Sequence, residues 1–341
     1  MVWRCGVSPV AKPTAVCNLC HHHCALVPGQ IGRCGVRQGA GDVVKSLVYG
    51  KLVAESVDPV EKKPLFHVLP GTLTYSIATP GCNFRCSHCQ NSSISQVVGA
   101  ASPRRINLRT MVERTAQDVV DAALASGCKS ISYTYVEPTV FFEFAYDCAV
   151  LAKQQGLGNI FVSNGYMSNT VLDLLTPVLT SINIDLKAWS ESFYEKVCGA
   201  RLAPVVENIR KCVELGLWLE VTTLLIPGMN DSTQELTEIA MFLAGLGTDI
   251  PWHVTAFYPA YKMEGARATP LATLLKARQI GLDCGLKYVY SGNISGGQET
   301  STRCPMCGHM LLKRSNFTLE QNLLVGGKCP SCSAGIAGVW G

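Results

Sequence analysis

Charge and aromatic residues are both scarce in this 341-residue sequence: Asp, Glu, Lys and Arg make up 16% of it, and Phe, Trp and Tyr 8%. The formal net charge is only +4. Nucleic-acid binders usually concentrate far more basic charge than this, so the value neither recruits nor excludes an RNA partner, although nucleic acid is not the partner expected overall. There is no internal repeat and no low-complexity tract, and no stretch has the low-hydrophobicity, high-charge composition of a disordered segment. No run approaches the ~18 uninterrupted apolar residues of a membrane span. Met1 to Val16 lacks the continuous apolar region of a secretory signal. A soluble, cytoplasmic protein without a membrane partner is therefore expected.

What the sequence does have is hydrophobic material, 48% of its residues, and seventeen cysteines. A disulfide framework belongs to small exported proteins, and neither condition holds here. Eleven of the cysteines fall in three tight groups: Cys17, Cys20, Cys24 and Cys34; Cys82, Cys86 and Cys89; and Cys304, Cys307, Cys329 and Cys332. Such spacing suits thiolates that converge on a metal. Cys5, Cys128, Cys148, Cys198, Cys212 and Cys284 are scattered singly and read as buried packing residues.

Between residues 72 and 293 strand-like and helix-like segments alternate. Strands are expected at Leu73–Thr79, Ser130–Val136, Asn159–Asn164, Ser181–Lys187, Trp218–Ile226 and Trp252–Tyr258, with a short one at Lys287–Tyr290. Several are near-continuous apolar runs, as in strands of a parallel sheet buried on both faces. Leu108, Met111, Val112, Ala116, Val119, Val120 and Ala123 form one helical stripe. A second helix follows Asp231-Ser232, with Glu235 placed as in a capping box. Six successive βα units give an α/β fold, either a doubly wound sheet or a full or partial barrel. The three regions expected are residues 1–71, a cysteine-rich extension with a hairpin over Asp42–Tyr49, Gly50 and Lys51–Ala54; residues 72–293, the βα core; and residues 294–341, a tail beginning near Gly296-Gly297 that carries paired cysteines.

Chemistry in such folds gathers at the C-terminal ends of the strands. The first expected strand runs into Cys82-Asn-Phe-Arg-Cys86-Ser-His-Cys89. Three thiolates from one short loop can ligate three irons of a cubane, leaving the fourth iron open to a small molecule. A zinc site completed by His88 is the competing reading, but zinc ligands normally come as two separated couples.

This spacing, with a ring-bearing residue before the last cysteine, resembles the radical SAM superfamily. Glu61-Lys-Lys-Pro-Leu-Phe-His67, Tyr133-Thr-Tyr-Val-Glu-Pro-Thr139, Val162-Ser-Asn-Gly165, Asn183-Ile-Asp-Leu-Lys187 and Pro251-Trp-His253 narrow it. They resemble the AmmeMemoRadiSam-system radical SAM proteins, relatives of pyruvate formate-lyase activating enzymes. The resemblance implies a partial (β/α)6 barrel. It also implies a [4Fe-4S] cluster on Cys82, Cys86 and Cys89, and S-adenosylmethionine (SAM) as the molecule at the open iron. Glu137 matches the acidic residue that receives the SAM amino group, although Thr134-Tyr135-Val136 replaces the family's glycines; the alternative is that it merely starts the following helix. Ser163 and Asn164 match a Thr-Asn-Gly motif. Lys187 suits the SAM carboxylate and Asp185 the ribose hydroxyls, with an ion pair at the strand end as the alternative. His253 matches a histidine near the nucleoside, or is a satisfied structural residue.

The implied activity is reductive cleavage of SAM to a 5′-deoxyadenosyl radical that takes hydrogen from a substrate, with a one-electron donor such as flavodoxin or ferredoxin. The substrate is a small molecule or, for a glycyl-radical activase, a protein partner. The tail's two Cys-x2-Cys couples have the spacing of a zinc ribbon, with an auxiliary Fe–S cluster as the alternative. The N-terminal four, with His21, His22 and His23 among them, suit zinc or Fe–S equally. A different class of function, a zinc-ribbon module binding RNA or protein, would use basic and aromatic residues such as Lys313, Arg314 and Phe317.

Overall fold

In a computed structural model, the described residues are 15–96, 107–108, 111–294 and 300–341. Cys5 and Gly296-Gly297 lie outside them. Two short antiparallel pairs come first: β1 (Ala15–Val16) with β2 (Ala25–Leu26), and β3 (Arg37–Ala40) with β4 (Val43–Ser46). The expected hairpin is therefore displaced toward the N-terminus. Its turn falls at Gly41-Asp42, where Gly41 takes φ +77°, a conformation glycine adopts without steric cost. The segment from Ala54 instead joins the main sheet.

That sheet has eight strands in chain order: β5 (Ala54–Pro59), β6 (Leu73–Ala78), β7 (Ser130–Tyr133), β8 (Gly158–Ser163), β9 (Ser181–Asp185), β10 (Trp218–Leu225), β11 (Trp252–Ala256) and β12 (Val289–Gly292). Pairing is parallel from β6 to β12, and β5 runs antiparallel along β6. β5 and β12 are left as edges, so the barrel is partial. The strands are apolar toward their helices and polar on alternate residues. The register sets Thr74 beside Ser130, Ser76 beside Ser132, Asn183 beside Glu220, and Thr222 beside His253. All eight are buried. A period of two places such residues on one face, and here that face lines the inside of the curve.

Helices connect the strands and cover the outer face. Ala116–Ala125 opens with a complete capping box, Thr115 with Asp118. The apolar stripe expected from Leu108 becomes helical only at Ala116, and Val112 is exposed. Thr233–Leu246 forms as expected, and Ser232 accepts from the Glu235 N–H at 3.2 Å. The Glu235 carboxylate, however, turns away to accept from the Trp189 N–H at 2.7 Å, so the reciprocal half of that box is replaced by a tertiary bond.

The tail folds as β13 (Thr302–Arg303), β14 (Met310–Ser315) and β15 (Thr318–Asn322), an antiparallel sheet. It has its own small core, in which Leu311, Leu312 and Ile336 pack with Phe66, Tyr288 and Tyr290. Among the described residues, no helix is long and apolar enough to cross a membrane.

Candidate functional site

A cavity of about 540 Å³ opens at the C-terminal end of the parallel strands. The structure brings every residue singled out for the core site to its walls: Cys82, Cys86 and Cys89, then Glu137, Ser163 and Asn164, and finally Asp185, Lys187 and His253. They come from the ends of β7, β8 and β9, the start of β11 and the loop after β6, so the convergence is a product of the parallel topology.

The cysteine loop is fixed by backbone contacts to a π-helical turn at Tyr194–Cys198. Arg85 N–H donates to Cys198 O at 2.7 Å and Ser87 N–H to Val197 O at 2.9 Å. Gly81, at φ +100°, lets the loop leave β6 against the N-terminal segment; a Cβ there would stand 2.6 Å from Val36 Cγ1. Cys198, expected to be a packing residue, hydrogen-bonds with the Cys86 thiol. That contact, with burial, pushes Cys86 well above the usual thiol range. Burial is the main cause raising Cys82 and Cys89. A cation would reverse this cost, because metal ligation deprotonates a thiol outright.

Glu137 is oriented by four protein donors. One carboxylate oxygen accepts from the Thr139 N–H at 3.1 Å and the Thr139 and Ser163 hydroxyls, and the other from the Asn164 N–H at 2.7 Å. It is the N-cap of the 3₁₀ turn Pro138–Phe141, so it starts the next element as well as facing the cavity. Burial raises its pKa. Just before it, Tyr135 takes φ +64°, the left-handed conformation that glycine favours. Its hydroxyl bonds to Asp58. Tyr135 thus holds a glycine-like backbone through a side-chain anchor.

Lys187 Nζ lies 2.8 Å from Asp185 Oδ2. Burial opposes its charge, but Asp185 and the nearby thiols hold it protonated well above its usual range. His253 Nε2 bonds to Glu220 Oε2 at 2.6 Å, both residues buried. Both contacts are the structural alternatives named from the sequence, and both residues also face the cavity.

Lys62, Lys63 and Tyr135 also line the cavity, and Asp58 ties them together. Asp58 receives Lys62 and Lys63, each at 2.7 Å, as well as Tyr135. Lys63 Nζ sits 4.7 Å from the centre of the Tyr135 ring, and burial lowers its pKa to about 8. Asp58 is separated from Tyr135 by 77 residues, so no local pattern joins them. The basic and aromatic cue in the tail does not form an exposed patch. Arg314 is buried, with its guanidinium 4.6 Å from the Phe66 ring centre. Lys313 pairs with Glu320 at 2.8 Å, and Phe317 lines the cavity.

The two flanking cysteine groups differ. Among the described residues, the only group of three or more potential ligand side chains whose ligand atoms all lie within 4.8 Å of one another is Cys304, Cys307, Cys329 and Cys332. Sγ separations of 3.6 and 3.7 Å occur there. The N-terminal four instead surround a small cavity of their own.

Residues 76–240 match the radical SAM superfamily. The uncharacterized protein MJ0808 of Methanocaldococcus jannaschii is 42% identical over 305 residues, covering 89% of each chain. MJ1632 of the same archaeon, named as a candidate glycyl-radical enzyme activating enzyme, is 28% identical over 211 residues, 61% of this chain and 76% of its own. Among solved structures, a domain of pyruvate-formate lyase-activating enzyme from Bacteroides vulgatus aligns over 48% of this chain and 99% of its own, at 21% identity and a TM-score of 0.43.

Proposed function

The chain belongs to the radical SAM superfamily, and we propose that Cys82, Cys86 and Cys89 hold the [4Fe-4S] cluster on which it cleaves SAM. The observation that carries this is the meeting of these three thiols with Glu137, Asp185, Lys187 and His253 on one cavity wall. The residues fit the group. The three sulfurs are not drawn together as around a single ion, and a cubane's own edges keep its thiolates wider apart than a tetrahedron does. When bound, the reduced cluster supplies one electron to the SAM sulfonium, giving methionine and a 5′-deoxyadenosyl radical that takes hydrogen from the substrate.

The chain's own residues bind, orient and exclude water. Lys187 spends one N–H on Asp185 and keeps two for the SAM carboxylate. Glu137 offers the amino group a carboxylate already oriented by four protein donors, so little reorganisation accompanies binding. Asp185 is placed for ribose hydroxyls, and His253, fixed by Glu220, for the nucleoside. Lys63 and Tyr135, both tied to Asp58, face the same cavity. The tail's four thiols we assign to zinc: bonds of ~2.3 Å in a tetrahedron put sulfurs ~3.8 Å apart, matching the 3.6 and 3.7 Å seen.

The test is anaerobically reconstituted protein given a strong one-electron reductant and SAM. It should release 5′-deoxyadenosine, and Cys86→Ala should abolish the release. Protein that holds only zinc, or a yield unchanged by Cys86→Ala, refutes the assignment. The likeness to MJ1632 favours a glycyl-radical protein as one substrate class; deuterium transfer into 5′-deoxyadenosine from a labelled protein glycine would establish it.

A further inference from the structure

Cys17, Cys20, Cys24 and Cys34 come from a loop that precedes the main sheet, yet they meet directly behind the Cys82–Cys89 loop. All four, together with Arg37 and Asn83, line one cavity with about 20 Å³ of space for the centre of a water molecule. A single water needs ~10–15 Å³ on that measure. Four thiolates closed around one ion would leave no such space, as their sulfurs would sit ~3.8 Å apart. The tail's four cysteines do draw together in that way, and the N-terminal four do not. Their spread is shared with Cys82, Cys86 and Cys89.

The walls of this cavity are built for an anionic occupant rich in sulfur. Arg37 is 5% exposed and fully paired to Glu143 through its two terminal nitrogens, at 2.8 and 2.6 Å. Its Nε has no partner of ordinary geometry, and the side chain faces the Cys17 thiol. Asn83 is 0% exposed. Its Oδ1 accepts from Asn164 at 2.7 Å, while its Nδ2 is likewise unpartnered and faces Cys20. The Arg33 N–H points at Cys24 Sγ from 3.5 Å. Both buried donors thus aim at sulfur, and such donors are better satisfied by anionic sulfur than by a neutral thiol.

We propose that Cys17, Cys20, Cys24 and Cys34 ligate a second [4Fe-4S] cluster, with Arg37 and Asn83 donating to its sulfurs. Four cysteines leave no iron open, so this cluster has no position for SAM or substrate. The chemistry left to it is passing single electrons, with no bond made or broken. Asn83 follows Cys82 in the chain and faces Cys20, so a single residue adjoins both sites. The inference rests on the cluster assigned above to Cys82, Cys86 and Cys89, and the following experiment separates the two.

Iron and zinc are counted in anaerobically reconstituted full-length protein and in a Cys82→Ala/Cys86→Ala/Cys89→Ala variant. The expected result is about eight irons and about one zinc in the first, and about four irons and one zinc in the second. About four irons and two zincs in the unmodified protein overturns the second cluster while leaving the first intact. Iron unchanged in the variant overturns the first assignment instead. A second readout needs no variant: on adding SAM, the Mössbauer spectrum should change chiefly for about one iron in eight, because only one cluster has an open iron. A change at about two irons in eight overturns the proposal.

Discussion

Glu220→Ala gives the sharpest test of how this molecule is held together. Glu220 is 0% exposed and accepts four hydrogen bonds: from the Phe66 N–H at 3.0 Å, the His67 N–H at 2.8 Å, Trp218 Nε1 at 3.2 Å and His253 Nε2 at 2.6 Å. Burial alone would raise its pKa, but the bond and charge of His253 outweigh that and hold it below the usual value. Truncation strands four buried donors at ~1–3 kcal/mol each. Water admitted to the space recovers part of this, leaving a net loss of about 4 kcal/mol. At ~2 °C per kcal/mol for a chain of this size, the unfolding midpoint should fall by about 8 °C. Glu220→Gln keeps one acceptor oxygen and should lose about half as much. The assay is thermal unfolding of metal-replete protein, with a steady-state measurement beside it. Because His253 loses its orienting partner, the KM for SAM should rise more than kcat falls. The carboxylate's contribution is present above its unfolded pKa and lost as pH falls through the lower folded value, so wild type and Glu220→Gln should converge in acid. A midpoint shift under about 2 °C for Glu220→Ala would refute the reasoning, since the four bonds would then carry almost no net energy.

Two further outcomes follow from the same contacts. Gly81→Ala forces a Cβ to 2.6 Å from Val36 Cγ1 at a φ of +100°, so iron bound per chain should drop; full iron and an unchanged midpoint would show that the loop yields freely. His67 is buried neutral, with its pKa lowered by burial to about 4, so the unfolded chain takes its proton first. Stability should therefore decline as pH falls from about 6.5 to about 4, by roughly 3 kcal/mol, and equilibrium unfolding of His67→Gln should show a shallower decline over that window.

The strands were legible because each is a short run bounded by turn residues. Trp218 and Trp252 start strands where expected, and the observed ends differ by one or two residues in most cases. The polar alternation inside the runs was harder to see, since Ser, Thr and Asn among Ile and Val look like interruptions until a register aligns Thr74 with Ser130. Cysteine spacing located the three thiol groups. It did not separate the tail's compact tetrad from the wider N-terminal set, because that distinction lies in sulfur positions. What no local pattern carries is pairing across the chain, such as Asp58 with Tyr135 or Glu220 with His253. Glu235 shows the opposite error: a good local signal whose carboxylate is captured by Trp189, a residue 46 positions away.

The bond from His67 to residue 337 also has a temporal meaning. The His67 ring meets Ala337 O at 2.7 Å across 270 residues, and Val339 exchanges backbone bonds with His67 and Leu69. During synthesis at ~5–20 residues per second, the segment around His67 waits roughly 15 to 50 s for these partners to emerge. Glu61, Lys63 and Phe66, which line the cavity, belong to that waiting segment. The last contacts behind that wall are therefore made only after the cysteine loop and the Glu220 anchor have been synthesised.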